Sequence, residues 1–260
     1  MSDADKPASP LPLLDVEKFA RFSGSTFKAD KFYKTIGYGA GSLGHLLSLA
    51  ARADSDTSTG LKKISSSIGM ARFVVRFTGG FESYEAWKNG SWCYGDDDAF
   101  TRRLVSLQAL SMLVYYPMEH LSYIGFVYVS RGICVCLCGN SEKDLLKIDA
   151  DKISRQSCVA WTVYVVLDIY ANYLRIKALT AKEKVLARQS GLTDEERQSA
   201  LAVIRSRKRE LYFVQLRNAC FFPTCLHWSL EKGLIPESAV QFLCFTESVI
   251  GIWRSWTNSS

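Results

Sequence analysis

Histidine is scarce in this sequence: only His45, His120 and His227 are present, and they lie far apart. A zinc centre needs ligand pairs at short spacing with a matched second half, and Cys134-Val135-Cys136-Leu137-Cys138 offers neither. No metal site is expected. The patterns G-x-S-x-G and H-E-x-x-H are missing, so the sequence supplies no hydrolase elbow and no metalloprotease helix. Cysteine is too thinly spread, eight in 260 residues, for a disulfide scaffold. Met1 to Pro12 carries Asp3, Asp5, Lys6 and three prolines, and lacks the apolar core of a secretory leader. Free thiols in a reducing compartment are therefore expected. A net charge of +6 is too mild to argue for nucleic acid. Hydrophobic residues at 48% exclude a disordered chain. Strand signals are weak throughout, and no fixed-period repeat is found.

One motif invites a cofactor. Gly39-Ala40-Gly41-Ser42-Leu43-Gly44 spells G-x-G-x-x-G, the loop that brings backbone up to a dinucleotide pyrophosphate. That chemistry requires a buried strand before the loop, and Asp30-Lys31-Phe32-Tyr33-Lys34-Thr35 reads as helix. No cofactor is expected. Gly37, Gly41 and Gly44 instead suit close helix–helix contact or shallow membrane seating. Asp96-Asp97-Asp98 is read as a solvated loop. No catalytic residue and no enzymatic activity are expected.

What is present is helical periodicity. Residues 1–14 read as a flexible tail, and residues 15–103 as cytosolic or interfacial amphipathic helices. At 100° per residue, Ala29, Phe32, Ile36, Ala40, Leu43, Leu47 and Ala50 share one stripe, with Lys31, Lys34, Tyr38, His45 and Arg52 opposite. A break is expected at Asp54-Ser55-Asp56. A second helix, Leu61 to Phe77, gathers Leu61, Ile64, Ile68, Ala71, Val74 and Val75 on one face. Lys62, Arg72 and Arg76 stand on the other, with Lys63 beside them, and Gly79-Gly80 is expected to end the helix. A basic face beside an apolar one suits the headgroup plane of an anionic bilayer. The membrane-binding residues are therefore expected to be Leu61, Lys62, Lys63, Ile64, Ile68, Arg72, Val75, Arg76 and Phe77, assisted by Lys31, Phe32, Lys34 and Ile36.

From residue 104 the character changes. Residues 104–130 contain one formal charge, Glu119, with His120 beside it; residues 157–174 contain only Asp168; residues 211–230 only Arg217; residues 234–253 Glu237 and Glu247. These lengths match a hydrocarbon core about 30 Å thick. A mid-membrane charge costs about 2.5–3.5 kcal/mol and each large apolar residue returns about 0.3–0.6, so the spans are marginal and need neighbours to shelter the charges. Glu119, His120, Asp168 and Arg217 are expected to be polar groups locking the spans together. The expected architecture is all-α: N-terminal amphipathic helices followed by a membrane-embedded helical bundle. Its parts are a helical pair over 104–174, a basic cytosolic helical loop over 175–210 and a C-terminal hairpin over 211–260. Residues 175–210 hold ten basic and five acidic side chains against five and four in 131–156, which favours 175–210 and both termini on the cytosolic side. Gly191 is expected to stop one helix of the loop, and Thr193-Asp194-Glu195-Glu196 to open the next with a capping box.

Four short elements carry a resemblance that extends over residues 19–256. They are Ala29-Asp30-Lys31-Phe32-Tyr33-Lys34 with Gly37-Tyr38; Gly69-Met70-Ala71-Arg72-Phe73-Val74-Val75-Arg76; Tyr115-Tyr116-Pro117-Met118-Glu119-His120; and Arg217-Asn218-Ala219-Cys220-Phe221-Phe222-Pro223 with His227-Trp228. In order and spacing they resemble the peroxin-eleven family of peroxisomal membrane proteins, most closely its gamma type. Phe221 stands where that family often has Asp. The resemblance implies an integral, self-associating peroxisomal membrane protein that elongates and tubulates the membrane before division and recruits the fission machinery. Expected partners are thus an anionic phospholipid membrane, further copies of the chain and that machinery, with no nucleic acid. The alternative is an oligomeric metabolite pore lined by Glu119, Asp168 and Arg217.

Overall fold

Helix is the outcome of nearly every described segment, and local caps set several of the boundaries. The computed structural model describes residues 16–130, 149–188 and 193–257. The tail, the Cys134–Cys138 cluster and Gly191 lie outside the described residues. A short α1 (Val16–Ser23) leads into α2 (Thr26–Ala51), which closes at Arg52 in the left-handed conformation, its N–H reaching back to Leu49. Ser55 then caps α3 (Asp56–Val75): Ser58 N donates to Ser55 Oγ at 3.2 Å and Ser55 N to Ser58 Oγ at 2.9 Å. This box starts the helix before the first apolar residue, Leu61.

Gly79-Gly80, expected to end the second helix, does not stop the helical run. A 3-10 turn (Arg76–Thr78) passes directly into α4 (Gly79–Asn89), and Gly79 has helical φ of −61°. The glycine is needed because the Tyr116 ring occupies the space its side chain would fill. The left-handed stop falls at Gly90, with φ of 67°. α5 (Ala99–Ser130), α6 (Ala150–Arg188), α7 (Asp194–Ser229) and α8 (Glu237–Thr257) follow. Thr193 opens α7 with the expected box, Glu196 N donating to its Oγ1 at 3.3 Å. The β-prone Val163-Tyr164-Val165-Val166 is inside α6, and no strand occurs among the described residues. The basic stretch 175–210 is carried by the end of α6 and the start of α7, each continuous with its apolar run.

The helices form a ring. α3 packs on α2, α2 on α8, α8 on α7, α7 on α6 and α6 on α5, while a looser α5–α3 seam closes it; α4 covers α5. The glycines of α2 make its contacts possible. A side chain on Gly37 would meet Ile68, one on Gly44 the Ser58 carbonyl oxygen at 2.9 Å, and one on Gly41 both Ser65 and Gln241. Gly39 faces Phe245 of α8. The N-terminal amphipathic segment is thus built into the same ring as the later helices.

The buried set mixes apolar side chains such as Val105, Val165, Leu211 and Val240 with polar ones. Gln108, Glu119, Asn172, Asn218, Thr224 and Glu247 are buried, whereas Leu43, Leu110, Ile124, Val163, Leu216 and Phe242 are exposed. The ring surrounds a half-open cavity of about 1030 Å³ lined by residues of α2 to α8.

Candidate functional site

On α3 the sequence separates two faces, and the ring decides their direction. Ile64, Val74 and Phe77 are 50%, 57% and 63% exposed. Ala71 is exposed too, while Ile68 and Val75 are half-buried, Ile68 fitting against Gly37. Leu61 leans on Gly44, Lys62 Nζ pairs with Asp54 at 2.7 Å, and Lys63 is exposed. α2 presents Ile36, Leu43 and Leu47 outward, and half-buried Phe32 meets Phe19 edge-on at 5.2 Å.

The two arginines expected at the headgroups are turned inward. Arg72 is 7% exposed and holds Asp30 of α2 bidentately, Nε to Oδ1 at 2.8 Å and Nη2 to Oδ2 at 3.1 Å. Arg76 Nη2 reaches Glu119 Oε1 of α5 at 2.6 Å, and the Tyr115 hydroxyl donates to the same oxygen. Periodicity assigns residues to faces but carries no information about which face meets solvent. Here the carboxylates wait inside, and a buried carboxylate needs a cation beside it. Burial, then the neighbouring Arg76, oppose the Arg72 charge, but the hydrogen bonds to Asp30 together with the attraction of Tyr38 and of the Asp30 charge raise the pKa above the ordinary arginine value.

Lys31 and Lys34 are drawn inward in the same way. Lys34 Nζ donates to Glu247 of α8, and Lys31 Nζ to Ser255 Oγ at 2.6 Å. Burial lowers the Lys34 pKa despite its carboxylate. Burial, with Arg217 nearby, brings Lys31 down to about 8.

All four polar residues singled out in the apolar runs bond across helices. Glu119 takes Arg76; His120 Nε2 lies 3.0 Å from the Phe73 carbonyl oxygen; Asp168 accepts from Asn218 Nδ2 at 2.6 Å; Arg217 donates to Glu247 Oε1 from Nε at 2.8 Å and Nη2 at 2.6 Å. Sequence reasoning missed the hub of this set. Glu247, 2% exposed, takes cations from two helices at once. A signal for it existed. Arg254 pairs with Glu210 at 2.5 Å, and Glu210/Arg217 and Glu247/Arg254 are each seven residues apart, roughly two helical turns. Two antiparallel helices with that spacing place both pairs opposite each other.

The acidic run is solvated only in part: Asp96 and Asp98 are exposed, and Asp97 is turned inward. The Asp97 carboxylate, 2% exposed, accepts from Arg175 Nη2 at 2.6 Å and Nε at 2.9 Å. Asp96 takes Arg207 at 2.5 Å and Lys182 at 2.9 Å, and Asp98 caps α5 through Thr101 N at 2.7 Å. Tyr94 lies between the Arg175 and Arg207 guanidinium groups, 4.2 and 4.7 Å from its ring centre. These contacts clamp the 90–98 turn to the α6–α7 end of the ring. Among the described residues no cluster of three His, Cys, Asp or Glu side chains is placed to hold a metal.

Among the described residues one helix, α6, is long and apolar enough to cross a membrane. The family model for Peroxisomal biogenesis factor 11 (PEX11) matches residues 16–256. No curated protein and no solved structure matches the chain.

Proposed function

Because the chain belongs to the Peroxisomal biogenesis factor 11 family, and so to the machinery of peroxisome biogenesis, we propose that it is a gamma-type, integral member that bends the peroxisomal membrane. In this reading α3 and α2 seat their outward aliphatic faces in the cytosolic leaflet and thereby promote elongation and division. One observation carries the proposal: Ile64, Val74 and Phe77 point away from the ring while Arg72 and Arg76 of the same helix are neutralised inside it. A face of that kind gains free energy by entering the acyl boundary, and a wedge confined to one leaflet expands that leaflet. Lys62 and Lys63 flank it, and each basic residue near an anionic surface adds about 1 kcal/mol. The inward ion pairs to Asp30 and Glu119 fix the helix so that its apolar face stays outward.

The same reading makes α5 to α8 the anchor. Glu119, Asp168, Arg217 and Glu247 are each bonded to a neighbouring helix, which lowers the cost of holding them within a bilayer. Both termini are cytosolic in this topology, copies associate through the remaining apolar exterior, and the fission machinery docks from the cytosol. The test is made with the full-length chain in vesicles containing anionic lipid. Val74→Glu with Phe77→Glu should abolish tubule formation while leaving the thermal melt and carbonate-resistant insertion unchanged. Tubulation that survives the double substitution would overturn the proposal.

A second reading, passage of small solutes, is favoured by the polar wall of the central cavity, which includes Glu119, Asp168 and Arg217. It differs from the oligomeric pore expected from sequence in that one chain surrounds the path. Release of small solutes from vesicles by the double variant, with tubulation gone, would support it.

A further inference from the structure

The central cavity has a chemistry that membrane bending does not use. Its volume of about 1030 Å³ lies just above the range of small-molecule sites, roughly 300–1,000 Å³. Lys31 and Lys34 of α2, Arg217 of α7 and Arg254 of α8 all line it. Lys34 and Arg217 share one carboxylate, Glu247, so two cations bear on a single negative charge. An apolar wall begins at this cluster. Lys34 Nζ lies 4.2 Å from the Phe221 ring centre; Phe221 stands edge-on to Trp161 at 5.2 Å; Trp161 stacks on Trp228 at 6.0 Å. Each of these rings lines the cavity.

We propose that this chamber binds an anionic amphiphile, its carboxylate or phosphate head held by Lys31, Lys34 and Arg217 and its apolar body laid along Phe221, Trp161 and Trp228. A head without a body would leave the rings bare, and a body without a charge would leave Lys34 and Arg217 sharing one carboxylate. Burial and the neighbouring Arg217 bring the Lys31 ammonium down to about 8, and an anion beside it restores its full charge. The site depends neither on leaflet bending nor on solute passage.

The test uses the full-length chain in phosphatidylcholine nanodiscs, titrated calorimetrically with dodecyl phosphate. The expected result is saturable binding, one per chain, weakened at least tenfold by Lys34→Gln and largely retained by Lys34→Arg. Lys34→Gln leaves Arg217 and Glu247 as a balanced pair, so the ring has reason to stay folded, and the thermal melt checks this. Lys31→Gln serves as the second variant and is also expected to weaken binding. Inorganic phosphate and dodecanol, each lacking one half of the ligand, should bind far more weakly. Nanodiscs doped with phosphatidic acid separate the sources. Loss of the titration there assigns the site to a bilayer lipid, and an unchanged titration assigns it to a free amphiphile; either upholds the site. Non-saturating uptake equal in both glutamine variants overturns it. So does dodecanol or inorganic phosphate binding as tightly as dodecyl phosphate.

Discussion

Arg217 on α7 donates two hydrogen bonds to one oxygen of Glu247 on α8, from Nε at 2.8 Å and Nη2 at 2.6 Å. The other Glu247 oxygen receives Lys34 of α2. One carboxylate therefore joins the last hairpin to the first long helix, across 213 residues of sequence. The glycines of α2 bring the backbones close enough for this: Gly41 abuts Gln241 and Gly39 abuts Phe245 on the same α8 surface.

Removing the hub should be costly. Glu247→Ala leaves Lys34 and Arg217 buried without their carboxylate, and breaking a buried pair from one side typically costs about 3–5 kcal/mol. Thermal unfolding of the full chain in a neutral detergent should show a large drop in melting temperature. Adding Lys34→Met to that background should recover part of it, because one orphaned cation is then gone. An unchanged melt in Glu247→Ala would mean that the carboxylate does not hold the three helices together.

The glycines separate two roles that look alike in sequence. Gly69 sits mid-helix in α3 with nothing within 4 Å of the position a side chain would take. Gly69→Ala should therefore stabilise the chain by up to about 1 kcal/mol, the helix-propensity gain. Gly44→Ala should do the opposite, since its methyl would lie 2.9 Å from the Ser58 carbonyl oxygen, a backbone atom that cannot swing away. Paired melts under one detergent condition decide it. Equal shifts of the same sign would show that α2 and α3 are not packed this closely.

Much of this architecture was legible in the residues. The α2 stripe, the break before Ser55 and the Thr193–Glu196 box follow from local rules, because caps and periodicity act within a turn or two. The G-x-G-x-x-G run was legible as packing, since lysines precede it where a buried strand would be needed. The direction of the faces was not. Arg72 and Arg76 lie opposite Val74 in any helix drawn from the sequence, and only Asp30 and Glu119, 42 and 43 residues away, decide that the arginines turn in. Gly79 failed for a related reason. A glycine pair after an amphipathic run reads as a stop, but a distant Tyr116 ring needs the same absent side chain. Asp97 looked solvated because its partner, Arg175, lies 78 residues away.

The clamp on the 90–98 turn gives a pH dependence with a definite sign. Hydrogen bonds from Arg207, then Lys182, hold the Asp96 carboxyl down to about 2. A carboxylate with a depressed folded pKa contributes stability that is present above its ordinary pKa, about 3.9, and lost as pH falls through the folded value. Hydrogen exchange of residues 90–98 and of the first turns of α7 should thus stay slow down to about pH 4 and quicken between there and pH 2. Asp96→Asn should quicken it already at neutral pH. The Asp96 and Arg207 side chains are each 34% exposed, so the clamp is also open to screening. Molar salt, with a Debye length of about 3 Å, should loosen the turn at pH 7 and leave the buried Asp97–Arg175 pair in place. Exchange that is indifferent to acid, to salt and to Asp96→Asn would show that Asp97 alone holds the turn against the ring.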